Sequence, residues 1–259
     1  MNYAVDKVDN RDYSVWVILW QSENLPDKVL LQDNEVQDQS IDESTEYGCV
    51  FFTGSTISNT MNYLNKEKQR ISGKELCSIA ENKGLLDRKK WAYISSSPKL
   101  LKELWYIEAY ARAKSLYDVK LSLSKNKPIQ TWSVRINRTK TKENDDIVVS
   151  WSSYGHSFTI CGYDDEREVL ICENSYGIDD FHNWYFYIKY DDFSLLFESK
   201  YIMTDKIENI PNNRYWKHLV PHIKNWYTPI YEDYAEKELL NAGEIKTLID
   251  LAQIKKWNT

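Results

Sequence analysis

Apolar residues in the first half of the chain recur at the spacing of an α-helix. The first such stripe consists of Val50, Ile57, Met61 and Leu64. Residues three, four or seven positions apart lie on one helical face, so the stripe predicts a helix that begins at or near Cys49. The residues before about position 45 are polar and include Pro26, which favours extended and loop-like structure there.

Three further helices are predicted before residue 126. One begins at Ser72, where Glu75 completes a capping box, and Gly84 ends it. The next has Pro98 at its first helical position. Its apolar stripe consists of Leu100, Leu101, Leu104 and Ile107. A shorter helix is expected over residues 115–125, so the first half of the chain is mainly helical.

The pattern changes to strands from Pro128 onward. Runs rich in β-branched and aromatic residues cover positions 129–136, 147–151, 156–163, 169–173 and 184–190. Residues 164–167 read D-D-E-R and form a turn between the third and fourth runs. A helical half followed by a sheet half predicts an α+β fold.

Residues 205–259 have a different character, rich in Trp, Tyr and Asn. A final helix is predicted from about Tyr231 to Trp257. Its apolar side chains near one side are Leu240, Leu248, Leu251 and Ile254. Such a helix needs a surface to cover its apolar face. It either docks as an appendage, for regulation or for a protein partner, or completes the core of the preceding domain.

Composition and charge exclude several classes of function. The 259 residues are 42% hydrophobic and 14% aromatic, which is typical of a globular protein. The formal charge is -6, and no basic run is interleaved with aromatic residues, so we expect no nucleic-acid partner. No stretch approaches the roughly 20 apolar residues that span a bilayer. With no signal-peptide pattern, we expect a cytoplasmic protein without a membrane partner.

Cysteine and histidine usage predicts a reduced protein without a metal. The four cysteines show neither CxxC spacing nor a disulfide framework. His218 and His222 are four residues apart, but Pro221 interrupts the helical pattern and no third ligand lies at suitable spacing. We therefore expect no metal site and no cofactor.

Three residues are candidates for nucleophilic chemistry. Cys49 opens a predicted helix, where backbone N–H groups and the helix dipole favour a thiolate. His156 begins an apolar strand behind Gly155, and Asn174 ends the next strand, so antiparallel pairing can bring the two side chains together. Each has an ordinary alternative when taken singly: a buried thiol, a structural histidine and a turn-forming asparagine.

Several local strings form a joint pattern along the chain. Residues 3–13 read Y-A-V-D-K-V-D-N-R-D-Y, residues 36–39 read V-Q-D-Q and residues 47–52 read Y-G-C-V-F-F. Residues 155–165 read G-H-S-F-T-I-C-G-Y-D-D and residues 173–177 read E-N-S-Y-G. Together these strings resemble the papain-like cysteine peptidases, in particular the prosegment-less bacterial and phage branch. The string at 47–52 stands at the place of the family's nucleophile motif, and the last two are similar to its histidine and asparagine motifs.

The resemblance implies a fold, a reaction and a set of roles. A helical subdomain with Cys49 would pack against an antiparallel β subdomain with His156 and Asn174, and a protein or peptide substrate would lie between them. Cys49 would be the nucleophile, His156 its proton partner, Asn174 the residue that orients the histidine, and Gln39 the oxyanion donor. The peptidase domain would cover residues 1–204, and residues 205–259 would be a C-terminal helical extension.

The sequence departs from the family pattern around the site. Nine residues separate Gln39 from Cys49, which is longer than the family's usual spacing. Val50 replaces an aromatic neighbour of the nucleophile, Tyr176 replaces a shielding Trp, and Asp180 and Trp184 replace a Trp and a Gly. Transamidation, which uses the same Cys–His chemistry, is the alternative reaction. The alternative class is a weak or inactive scaffold with an interaction or assembly role, which includes association with a virion.

Overall fold

The computed structural model provides a description of most of the chain through Thr204. The described residues are 13–14, 24–33, 35, 37–41, 47–87, 92–133, 136–137, 148–149, 155–176, 184–196 and 200–204. The predicted helix at 231–257, the pair His218 and His222, and Asp180 lie outside them.

Among the described residues, four α-helices form the first half, as predicted. They are α1 (Cys49–Leu64), α2 (Gly73–Asn82), α3 (Ser96–Glu103) and α4 (Leu116–Ser124). Ser72 caps α2 by accepting the N–H of Glu75 at 3.1 Å. Ser115 and Asp118 form a reciprocal capping box at the start of α4. Pro98 is the third residue of α3 rather than the first. It still lies in the first turn, where backbone N–H groups have no acceptor within the helix, so its missing N–H costs no hydrogen bond.

Ten strands are described. They are β1 (Tyr13–Ser14), β2 (Lys28–Leu30), β3 (Ala109–Arg112), β4 (Ile129–Ser133), β5 (Ile136–Asn137), β6 (Val148–Val149), β7 (His156–Asp164), β8 (Val169–Glu173), β9 (Tyr185–Lys189) and β10 (Tyr201–Thr204). Eight of them form one sheet in the order β1-β3-β10-β4-β7-β8-β9, with β2 beside β7. Every pairing in it is antiparallel except β1 with β3. The α+β prediction is confirmed.

Strand β7 is the centre of the sheet. Its first half pairs with β4, its last three residues pair with β2, and β8 covers its other edge. The register with β8 shifts between Ile160 and Gly162, so Cys161 is an extra residue on β7. A Cβ on Gly162 would lie 2.3 Å from the Val29 carbonyl oxygen, so only glycine allows β2 to approach this closely.

The described residues enclose two apolar cores. One lies on a face of the sheet and includes Phe158, Ile160, Cys172 and Phe186. The other lies among α1, α2 and α3 and includes Cys49, Phe51 and Leu76, together with Trp132 from β4. The Gln130 side chain joins the two regions, because its Nε2 donates to the Val50 carbonyl at 2.9 Å. The helical region therefore packs against the sheet at the start of α1.

Three further findings concern the predictions above. The strand β3 lies within the predicted helical half, which the sequence pattern missed. All four cysteines are buried and free of disulfides. Within the described ranges, no helix combines the length and apolar character needed to cross a membrane.

Candidate active site

Cys49 is the first residue of α1, and its thiol is buried. Only 2% of the residue is exposed. Gly48 precedes it without a capping side chain. The backbone N–H groups of Ser157, Val50 and Cys49 lie near the sulfur and favour its thiolate form. Burial raises the pKa of the thiol to about 11, although these N–H groups oppose the rise. The helix start alone therefore does not ionise Cys49, and a thiolate here requires a neighbouring cation.

His156 begins β7 and lies directly before Ser157, whose backbone N–H lies near the Cys49 sulfur and favours the thiolate. The imidazole is half-buried, and its Nε2 lies 2.7 Å from Oδ1 of Asn174. The ring stacks on Tyr176, with ring centres 4.9 Å apart and 21° between the planes. The histidine is therefore held by one hydrogen bond and one aromatic face, next to the backbone that contacts Cys49.

The hydrogen bonds of Asn174 settle which histidine nitrogen carries the proton. Asn174 is buried, and its backbone N–H donates to the Trp184 carbonyl at 3.0 Å. Its Oδ1 also accepts the Ser175 N–H at 2.9 Å, which identifies this atom as oxygen rather than nitrogen. In the neutral imidazole, Nε2 of His156 must then donate to Asn174, and Nδ1 carries the lone pair.

Gln39 is completely buried and is tied to the same segment. Its backbone N–H donates to the Ser175 carbonyl at 2.7 Å, and its Oε1 accepts the Ser175 hydroxyl at 2.6 Å. The amide is thereby oriented, and Nε2 is its donor end. Gln37, the other glutamine of the string, accepts the Gly73 N–H at 3.0 Å and so belongs to the start of α2.

The described positions at which the sequence departs from the motifs named above lie in several places. Tyr176 is 36% exposed and covers the imidazole face. Val50 is buried in the helical core. The backbone carbonyl of Trp184 accepts a hydrogen bond from the Asn174 N–H. The departure at Tyr176 therefore preserves an aromatic face against the histidine.

Two contacts of the site were missed by the sequence pattern. Ser175 hydrogen-bonds Gln39 and so joins it to the strand end that holds Asn174. The only sequence signal for this contact is the serine of the E-N-S-Y-G string. Trp132 of β4 packs over Gly155, where a Cβ would lie 2.2 Å from the indole. Because Trp132 also belongs to the core that contains Cys49, it lies at the junction of sheet and helices.

The part of the chain that the structure describes contains no cluster of potential metal ligands. No group of three or more His, Cys, Asp or Glu residues there has metal-binding geometry. The polar groups at the site are a thiol, an imidazole and two amides, which are suited to acyl transfer by a covalent route.

α-Helices packed in this way against a mainly antiparallel sheet form a papain-like fold, and the comparisons with solved structures show the same fold. Xylellain, a cysteine protease from Xylella fastidiosa, superimposes with a TM-score of 0.61 at 19% identity, covering 78% of this chain and 94% of its own. Procathepsin B from Trypanosoma congolense gives 0.53 at 12% identity, over 75% and 87% of the two chains. Digestive procathepsin L from Tenebrio molitor gives 0.51 at 12% identity, over 75% and 76%. No family model and no curated protein matches the sequence.

Proposed function

We propose that this protein is a cysteine peptidase that hydrolyses peptide or isopeptide bonds. The observation that carries the proposal is the His156–Asn174 hydrogen bond of 2.7 Å. The residue after His156 is Ser157, whose backbone N–H lowers the pKa of the Cys49 thiol. The likeness in fold to cysteine proteases supports it. Among such proteins, the sequence motifs resemble the prosegment-less bacterial and phage branch. Residues 1–204 would form the peptidase domain and residues 205–259 an extension.

The proposed reaction begins with proton transfer from Cys49 to Nδ1 of His156. The imidazolium is then the cation that offsets the burial of the thiolate, and Asn174 holds its other nitrogen. The sulfur attacks the substrate carbonyl, and the oxygen that becomes negative accepts from Nε2 of Gln39 and the N–H of Cys49. As the C–N bond breaks, His156 protonates the leaving amine.

The second half of the reaction releases the acyl group. A water molecule gives a proton to His156 and attacks the thioester, and the C–S bond then breaks. The acid product leaves, and the thiol–imidazole pair is restored. Transamidation would differ only at this step, with an amine in place of water.

A test of the proposal uses the full chain with an unfolded protein substrate. We expect wild-type protein to cleave it, and mass spectrometry of quenched samples to show an acyl group on Cys49. Cys49→Ala should abolish both signals, and His156→Ala should reduce cleavage by several orders of magnitude. Cleavage that persists in Cys49→Ala would disprove the proposal.

The second candidate function is a papain-like scaffold without peptidase activity, used for interaction or assembly. The observation that favours it is the Cys49 thiol, which is 2% exposed and has its pKa raised to about 11 by burial. In that case wild type and Cys49→Ala would behave alike in the same assay, and a folded protein would show no acylation.

A further inference from the structure

Trp105 is the most exposed large apolar side chain among the described residues. It lies just beyond the end of α3, and 87% of its surface is exposed. Its backbone is in the left-handed region, with φ of 66°. Exposed indole surface and left-handed backbone are both unfavourable for tryptophan, so the residue is not explained by the fold around it.

All four described α-helices end with a residue in the left-handed conformation, so the residue types at this position can be compared. The residues in the left-handed position are Lys66, Gly84, Trp105 and Asn126. After α3, the N–H of Trp105 donates to Lys102 and that of Tyr106 to Leu101, a Schellman motif that is repeated after the other three helices. Glycine and asparagine suit this position, and lysine is solvated, whereas the indole is neither conformationally suited nor buried.

Three partly buried apolar residues lie in the chain segments around Trp105. Leu104 and Tyr106 on either side are partly buried against the helical core. Leu85 is also partly exposed, and the Lys83–Glu103 ion pair of 2.5 Å brings the ends of α2 and α3 together. We call Leu85, Leu104, Trp105 and Tyr106 the Trp105 patch.

Thr204 lies close to the patch because of its strand pairing in the sheet. Thr204, the last described residue, pairs with Ala109, and its carbonyl accepts the Glu108 N–H at 2.8 Å. Ala109 is four residues from Trp105, a separation of at most about 14 Å in extended chain. Thr204 therefore lies near the patch, and the chain that follows it is tethered there at a high effective concentration.

The composition of residues 205–259 matches this surface. The segment holds seven Trp and Tyr residues, at positions 215, 216, 226, 227, 231, 234 and 257. Large aromatic surfaces of this kind need apolar partners. We propose that residues 205–259 of the same chain dock onto the Trp105 patch, with the Trp105 indole as the anchor.

The test compares Trp105→Gly with Lys66→Gly in the full chain. Both variants relieve a left-handed backbone at the end of a helix, but only the first removes apolar surface. Limited trypsin digestion at the Lys and Arg residues of 205–259 reports docking. We expect cleavage there to be about tenfold faster or more in Trp105→Gly, with Lys66→Gly unchanged. Equal cleavage rates in the two variants would overturn the proposal.

A second measurement identifies the occupant. A photo-reactive p-benzoylphenylalanine at position 105 should cross-link to peptides from 205–259 within one chain, independently of protein concentration. Cross-links between two chains that increase with concentration, or an absence of protein cross-links, would contradict the proposal. Thermal melting adds an independent result: Lys66→Gly should raise the Tm, while Trp105→Gly should raise it less or lower it. An equal rise in both would show that the indole contacts nothing.

Discussion

One oxygen of the Asn174 side chain accepts two hydrogen bonds, and this arrangement determines the orientation of His156. The Ser175 N–H and the imidazole Nε2–H both reach Oδ1, at 2.9 and 2.7 Å. The imidazole is therefore held by a residue that is itself fixed by the backbone of the next residue. Tyr176 then limits rotation of the ring by stacking on its face.

The first prediction concerns this orientation. Asn174→Ala removes the acceptor, so the imidazole can rotate away from the geometry needed for proton transfer. We expect peptide turnover to fall by roughly 10²-fold, with the Tm reported alongside. Asn174→Asp is the matched control, because its carboxylate keeps an oxygen in place. If Asn174→Asp lost as much activity as Asn174→Ala, Asn174 would not act by orienting the histidine.

The two glutamines of the V-Q-D-Q string give a second prediction. Gln39 is oriented by Ser175, whereas Gln37 is bound to the start of α2. Gln39→Ala should lower kcat by about 10²–10³-fold, the usual cost of losing an oxyanion donor. Gln37→Ala should leave kcat nearly unchanged. A larger loss in Gln37→Ala than in Gln39→Ala would reverse the assignment.

Much of the candidate site could be predicted from sequence because its residues lie in local strings. Cys49 follows a helix-start pattern, and His156 and Asn174 lie at the ends of two successive strands. The tie between Gln39 and Ser175 could not be predicted, since it joins residues far apart in the chain through a hydroxyl with no distinctive pattern. The packing of Trp132 on Gly155 depends in the same way on tertiary contact.

At the scale of elements, helices were predicted more fully than strands. Ser72 and Ser115 cap their helices through residues three positions later, so the signal is local. Strand β3 has the sequence A-Y-A-R, without β-branched residues, and is fixed by pairing with β1 and β10. The extra residue Cys161 on β7 is likewise set by neighbouring strands. Such pairings cannot be derived from one short segment.

The third prediction concerns Glu173, whose carboxyl group is buried on strand β8. Glu173 is 5% exposed, and burial, assisted by Asp33, raises its pKa from 4.5 to about 8. Asp33 itself pairs with Arg70, which also pairs with Glu35. The cross-strand neighbours of Glu173 are Thr159 and Tyr185, which bring no opposite charge.

The sign of the effect follows from the raised pKa. Between pH 4.5 and about 8 the folded protein keeps a proton on Glu173 that the unfolded chain releases, so stability falls as pH rises. The slope from this group approaches ~1.4 kcal/mol per pH unit. Glu173→Gln should flatten the dependence of unfolding free energy on pH in urea denaturation. The control is Glu166→Gln on an exposed turn, and an unchanged slope in Glu173→Gln would contradict the prediction.

At the scale of the whole molecule, the site exists only where the two regions meet. The helical region supplies Cys49, the sheet supplies His156 and Asn174, and the Gln130–Val50 hydrogen bond fixes the junction. Neither region alone holds both the thiol and the imidazole. The electrostatics have the same origin, because packing of the regions buries the thiol and thereby raises its pKa.

The most direct test of the account is the pH dependence of Cys49 alkylation by iodoacetamide, followed at the modified residue by mass spectrometry. If His156 supplies the cation that burial demands, wild-type Cys49 should react rapidly down to about pH 5–6, as paired catalytic thiols do. In His156→Ala the reaction should require strongly alkaline pH, because burial raises the pKa of the Cys49 thiol and no imidazolium is present to lower it. A wild-type profile that rises only near the free-thiol value of roughly 8.5 or above, and coincides with that of His156→Ala, would contradict the account.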